Sequence, residues 1–151
     1  MKYLPRIADM VLKERLAAFG AVLIEGPKWT GKTTTAMQQA QSILQLQDPD
    51  RRDDNLATAA TMPSLLLKGK QPRLIDEWQD APTLWDAVRI AVDKSGGLPG
   101  QYILTGSNTV DKDKIYHSGT GRITRMKMYP MSLWESGDSS GEISLKALFD
   151  N

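Results

Sequence analysis

The sequence predicts an α/β sandwich built on a mostly parallel sheet, with helices on both faces. Three observations carry that expectation. Short apolar runs of strand length alternate with longer segments of helical periodicity. One run, AVLIE at 21–25, is apolar at successive positions, as a strand covered on both faces must be. The stretch that follows it, GPKWTGKTT, leads from this strand into a helix through two glycines.

The elements follow in order. Ile7, Val11, Leu12 and Leu16 recur at helical spacing, which predicts a helix over 5–19 that Gly20 stops. The first strand is 21–25. A helix over 32–41 comes after the glycine loop, and SILQLQ at 42–47 reads as a second strand. DPDRRDDN reads as a polar loop, and 56–67 as one or two short helices with Pro63 at a helix start. RLID at 73–76 is the third strand. The helix over 82–94 places Leu84, Trp85, Val88, Ala91 and Val92 on one side, with Gly96 just past its end. QYILT at 101–105 is the fourth strand, 110–121 a polar loop, and 122–128 the fifth strand. Ser132 and Glu135 have capping-box spacing before Gly137, and an apolar helix begins near Leu145.

Composition narrows the function. The chain has 151 residues, 40% hydrophobic and 25% charged, which fits one domain with its own core. The net charge of +1 makes no electrostatic case for nucleic acid, so that partner is unsupported. The absence of cysteine excludes disulfides, thiolate catalysis and Cys-ligated zinc. The single histidine, His117, cannot build a His-rich metal site. No apolar run approaches a membrane span, no secretory signal follows Met1, and the cytoplasm is the expected compartment.

Gly26, four intervening residues, Gly31, Lys32 and Thr33 have the spacing of a phosphate-binding loop. A bound triphosphate needs donors packed around it. Glycine lets the backbone approach and take positive φ, so that several N–H groups point inward. The helix after the loop aims its positive end at the same place. Pro27, Lys28, Trp29, Thr30 and Thr34 complete the candidate cradle. Lys32 can reach the β and γ phosphates, and the Thr33 hydroxyl can bind Mg²⁺. A glycine turn with a surface lysine would share the residues, but not the preceding strand and following helix. Trp29 reads as a packing residue or loop stiffener.

RLIDEWQD places Asp76 and Glu77 at the end of an apolar strand, where ligands collect in open parallel sheets. Asp76 can hold Mg²⁺, and Glu77 can polarise a water for attack on the γ-phosphate. Two solvated acids opening a turn would look the same in isolation. Gln79 and Asp80 read as surface or capping groups. YILTGSN ends the fourth strand in polar residues, and Ser107 or Asn108 can orient the attacking water. Arg122, after HSGTG, is a candidate for stabilising charge on the transferring phosphoryl group, with a structural ion pair as the alternative. Met126, Met128 and Met131 read as core filling, and Trp78, Trp85 and Trp134 as apolar anchors.

GPKWTGKTT, LIDEWQDAP, YILTGSN, HSGTGR and MYPMSLWESG, in that order, resemble the AAA-type P-loop ATP-binding domain of many bacterial and archaeal proteins. Longer members of that family add a C-terminal domain of unknown function. The resemblance covers nearly the whole chain. It implies a P-loop NTPase three-layer sandwich with a five-stranded sheet in the order 5-1-4-3-2. It implies Lys32 and Thr33 as nucleotide and Mg²⁺ ligands, Asp76 as the Mg²⁺ acid and Glu77 as the catalytic acid. The polar end of TGSN becomes a sensor, and Arg122 an arginine finger or sensor. Family members usually continue beyond this length, so a C-terminal domain is expected after residue 151. That domain or another subunit would cover the helix carrying Leu145, Leu148 and Phe149.

The activity expected is Mg²⁺-dependent ATP hydrolysis coupled to movement of an attached domain or partner. The alternative is a nucleotide-binding switch with little or no hydrolysis. A small-molecule kinase fits less well, because Asp76 and Glu77 at a strand end favour activating water. No guanine-reading Asn-Lys-x-Asp set is present, which favours ATP over GTP.

Overall fold

Five parallel strands form one sheet in the order β2-β3-β4-β1-β5. The computed structural model describes residues 2–107 and 119–150. The strands are β1 (Ala21–Glu25), β2 (Ser42–Gln45), β3 (Arg73–Asp76), β4 (Tyr102–Gly106) and β5 (Ile123–Lys127). This is the order expected from the resemblance. Its consequence is that β4 lies between β1 and β3, so the ends of three strands converge.

Successive strand residues point to opposite faces, and each face meets its own helices. Ala21, Leu23, Leu44, Ile75, Leu104 and Ile123 pack on α4 (Thr83–Lys94) through Leu84, Trp85, Val88 and Val92. Val22, Ile24, Leu74, Ile103 and Met126 pack on Leu12 and Leu16 of α1 (Ile7–Ala18) and Ala36 of α2 (Lys32–Met37). The result is three layers with the sheet in the middle.

Several boundaries differ from expectation. α2 ends at Met37 and not near residue 41. The region expected as a polar loop is partly helical: α3 runs over Arg52–Thr61, followed by a 3₁₀ turn at Pro63–Leu67. Its first turn carries Asp53 and Asp54, which suit a helix N-terminus. Only Ala59 of α3 is buried, so its sequence has little apolar signal. Trp78, Trp85, Met126 and Met128 are buried as expected, whereas Trp134 and Met131 are exposed. α5 (Leu133–Ser136) has the expected capping box and ends at Gly137 in the left-handed region. α6 (Leu145–Phe149) exposes Leu145, Leu148 and Phe149. The loop expected over 110–121 lies outside the described residues up to 118, as does His117.

The N-terminal segment is clasped to the chain after β5. Arg6 Nε donates to Glu135 Oε1 at 3.1 Å, and both side chains are only 6% exposed. Glu135 also accepts from the N–H of Ile7 at 2.8 Å, the N–H of Ser132 at 2.7 Å and the Ser132 hydroxyl at 2.9 Å. Removing one partner of so buried a pair costs about 3–5 kcal/mol, because the other charge is left uncompensated. The Ser132 N–H does most to stabilise the Glu135 carboxylate. The other donors add to it against partial burial, and the pKa falls to about 2.

That shift has a readable consequence. The folded-state pKa lies below the ordinary value of 4.5. The carboxylate's contribution to stability is therefore fully present above about 4.5 and fades as pH falls toward 2. Melting temperature against pH should fall more steeply through this window in the wild type than in Glu135→Gln. Parallel curves would show that the carboxylate contributes nothing there.

Candidate functional site

The loop 26–33 leaves the C-terminal end of β1 and runs beneath the end of β5. Met128 N–H donates to the Glu25 carbonyl at 2.7 Å, which brings the β5 backbone against Gly26. A Cβ on Gly26 would sit 2.3 Å from the Met128 carbonyl oxygen, so no side chain fits there. Gly31 has φ +89° and caps α2. Trp29 also has positive φ, at 69°, and its side chain is fully exposed, so it does not pack against the loop as expected. Lys28 and Thr34 point to solvent as well. Thr30 is buried and its hydroxyl donates to the Pro27 carbonyl at 3.0 Å.

Lys32 is buried inside the loop. Its ammonium donates to the carbonyls of Gly26 at 2.8 Å and Pro27 at 2.7 Å. Burial lowers its pKa, while the negative charges of Glu77 and Asp76 oppose that shift. The cation is thus held across the loop by two neutral acceptors.

Asp76 is the convergence point. Its Oδ1 accepts from the Thr33 hydroxyl at 2.6 Å and from the Thr105 hydroxyl at 2.7 Å. Thr33 belongs to α2, Asp76 ends β3 and Thr105 lies in β4, so three elements meet on one oxygen. Thr105 is fully buried and in turn accepts the Glu77 N–H at 3.0 Å. Glu77 sits in the left-handed region, φ 58° and ψ 54°, which costs a non-glycine residue about 1–3 kcal/mol. The Thr105 hydroxyl is one of the bonds that holds it there.

The Glu77 carboxylate is held by the side-chain amide of Gln79, whose Nε2 also lies 3.4 Å from Ser107 Oγ. Gln79 is therefore part of the site and not a surface group. Gly106 allows this packing, since a Cβ there would lie 2.8 Å from Trp78 Nε1 and 3.2 Å from Gln79 Oε1. Asp80 faces outward toward Arg52 and Gln47.

The structure brings Gly26, Pro27, Thr30, Gly31, Lys32, Thr33, Asp76 and Glu77 into one neighbourhood. Asn108 lies outside the described residues. Arg122 is elsewhere. It precedes β5, and its carbonyl accepts the Ala21 N–H at 3.1 Å. It therefore stands at the N-terminal edge of the sheet, whereas the loop stands at the C-terminal edge, about 15 Å away along β1 at the usual rise of a strand. Its guanidinium donates to Asp93 at 2.7 Å. Within its own chain Arg122 therefore stands away from the loop and makes the ion pair that the sequence reading held as the alternative to a phosphoryl contact.

A family model described as an AAA domain matches residues 18–136, well over half the chain. The chain belongs to the AAA domain family. No curated protein matches it. Membership of this family points to nucleotide binding of the ATPase type. No helix among the described residues is long and apolar enough to cross a membrane.

Two site residues escaped the sequence reading. Gln79 read as a surface or capping group, because its contact with Glu77 follows from a backbone conformation that the sequence does not announce. Arg6 carried no local signal. Its guanidinium donates to the Thr30 carbonyl at 2.6 Å and to the Tyr129 carbonyl at 2.9 Å, in addition to Glu135.

Because Gly26 faces a backbone oxygen, Gly26→Ala should displace either the loop or the end of β5. The expected cost is about 1–3 kcal/mol, the range for overpacking. Chemical denaturation checks it, and unchanged stability would show that the Met128 strand end yields freely.

Proposed function

We propose that this AAA domain binds ATP with Mg²⁺ at loop 26–33 and hydrolyses it, and that the cycle moves an attached domain or a neighbouring subunit. The observation that carries the reading is the Asp76 oxygen shared by Thr33 and Thr105, beside the buried ammonium of Lys32. A hydroxyl and a carboxylate within hydrogen-bond reach are the donor types that Mg²⁺ takes from a protein when phosphates and waters supply the rest. The residues present fit the ion: Thr33 and Asp76 would hold it, and it would neutralise charge on the β and γ phosphates.

The remaining roles fall to the chain itself. Lys32 exchanges the Gly26 and Pro27 carbonyls for phosphate oxygens. The first N–H groups of α2 have no partners within the helix and are available to the same anion. Glu77 accepts a hydrogen bond from the attacking water while Gln79 fixes the carboxylate's orientation. Ser107, just past β4, or Asn108, which lies outside the described residues, would orient that water. Thr105 reports the state of Asp76 to the Glu77 backbone. The exposed apolar face of α6 is offered to the moving partner, as an attached domain or a second subunit.

A second reading, a nucleotide-binding switch with little turnover, is favoured by one observation. Arg122 stands at the wrong edge of the sheet to stabilise a transferring phosphoryl group in its own chain, so full turnover would need an arginine supplied in trans. Phosphate release and ATP binding separate the two. Lys32→Ala should lose ATP binding. Glu77→Gln should bind ATP at least as tightly as wild type and release phosphate at least about 10²-fold more slowly, the scale of general base catalysis. Equal, negligible release by wild type and Glu77→Gln, with ATP bound by both, would decide for the switch.

A further inference from the structure

We infer that Arg6, outside the phosphate-binding motif, is a positioning residue for anion binding, because it fixes the peptide plane between Thr30 and Gly31. The inference rests on the nucleotide-binding reading above. Its physical basis is the geometry of one peptide. Arg6 Nη1 donates to the Thr30 carbonyl at 2.6 Å, inside the protein. In a trans peptide the carbonyl and the following N–H point in opposite directions. Among the described residues the one cis peptide is Gln71–Pro72, so Thr30–Gly31 is trans. Holding the Thr30 oxygen toward the guanidinium therefore turns the Gly31 N–H away from it, and on this inference that is the side an anion in the loop would occupy.

The rest of Arg6 is committed to keeping that bond in place. Nη2 donates to the Tyr129 carbonyl at 2.9 Å and Nε to Glu135 at 3.1 Å. A planar guanidinium can serve three acceptors in fixed directions at once, which an ammonium on a flexible stem cannot. Glu135 is locked by the Ile7 and Ser132 N–H groups, so the strut ends in a rigid anchor. The division of labour is specific. Lys32 occupies the Gly26 and Pro27 carbonyls in the loop's resting state and must leave them to meet a phosphate. Arg6 has no such exchange to make. With Lys32 drawn to the anion, Arg6 still holds the Thr30 carbonyl turned outward, where it cannot repel a phosphate oxygen. Gly31 tolerates this plane because its φ of +89° suits glycine.

The strut also joins the loop to the chain after β5. Tyr129 and Glu135 lie on that segment, so a change in the loop on anion binding is felt there first.

The test measures ATP affinity in the presence of Mg²⁺ on the full chain, by calorimetry, for wild type, Lys32→Ala, Arg6→Met, Arg6→Lys and Glu135→Gln. Circular dichroism establishes which variants are folded. Arg6→Met should weaken ATP binding roughly 10- to 100-fold, the loss expected for one or two hydrogen bonds to a charged group. Arg6→Lys keeps the charge opposite Glu135 and covers the case in which Arg6→Met fails to fold. It too should bind ATP more weakly, and Glu135→Gln should show a smaller loss. A merely structural role would not move the Gly31 amide proton. Its resonance should shift downfield when ATP is added to wild type, and this shift should be reduced in folded Arg6→Lys. Folded Arg6→Lys with wild-type affinity and a wild-type Gly31 shift would overturn the inference while leaving the nucleotide-binding reading intact. Wild type that binds ATP no better than Lys32→Ala would overturn both.

Discussion

One carboxylate oxygen, Asp76 Oδ1, is where the fold and the site become the same object. It accepts hydroxyls from α2 and β4 while sitting at the end of β3. Those three elements are brought within reach only because β4 is inserted between β1 and β3. An order that kept β1 beside β3 would bring the loop to the acid but would move the Thr105 hydroxyl away. The sheet order therefore brings donors from two different elements onto one oxygen of the acid. The same order places Glu77, whose backbone N–H is tied to Thr105, one residue beyond the acid. Thr33, Asp76, Thr105 and the Glu77 backbone, the proposed metal corner and its neighbour, are one hydrogen-bonded chain.

The site is supported from below by a second, separate chain of charge. Lys32 reaches across the loop to two of its carbonyls, and Arg6 holds a third from the opposite side. Both cations are buried, and both are compensated by acceptors that the backbone provides. They differ in their anchors. Lys32 donates to two neutral carbonyls, with the negative charges of Glu77 and Asp76 nearby. Arg6 is anchored by a carboxylate whose pKa lies near 2. In the proposed cycle Lys32 is the cation that leaves its carbonyls and Arg6 the one that stays.

Much of this was legible in the sequence. The strand-loop-helix spacing identified Gly26, Gly31, Lys32 and Thr33, and the apolar run ending in Asp76 and Glu77 placed both acids at the correct edge of the sheet. What was not legible depends on contacts far apart in sequence. Arg6 meets its partners 24 and more residues away, and nothing in its neighbours marks it as more than a surface arginine. Gln79 read as a surface or capping group because its role depends on where Glu77 points after an unusual backbone conformation. Arg122 could not be placed for a directional reason. A residue just before a parallel strand lies at the edge opposite the ligand, and that follows only when the strand's direction and start are known. α3 was expected only from residue 56, because its first turn is polar and faces solvent, so the periodic apolar signal that announces a helix is absent from its start.

The metal corner is the most direct place to test the whole account. ATP affinity should be measured by calorimetric titration with and without Mg²⁺, for wild type and for Asp76→Asn, which keeps the shape and removes the charge. Mg²⁺ should tighten ATP binding to wild type and give little or no gain in Asp76→Asn. An equal gain in both proteins would mean that Asp76 does not hold the metal, and the shared oxygen at the centre of this structure would then be a packing device only.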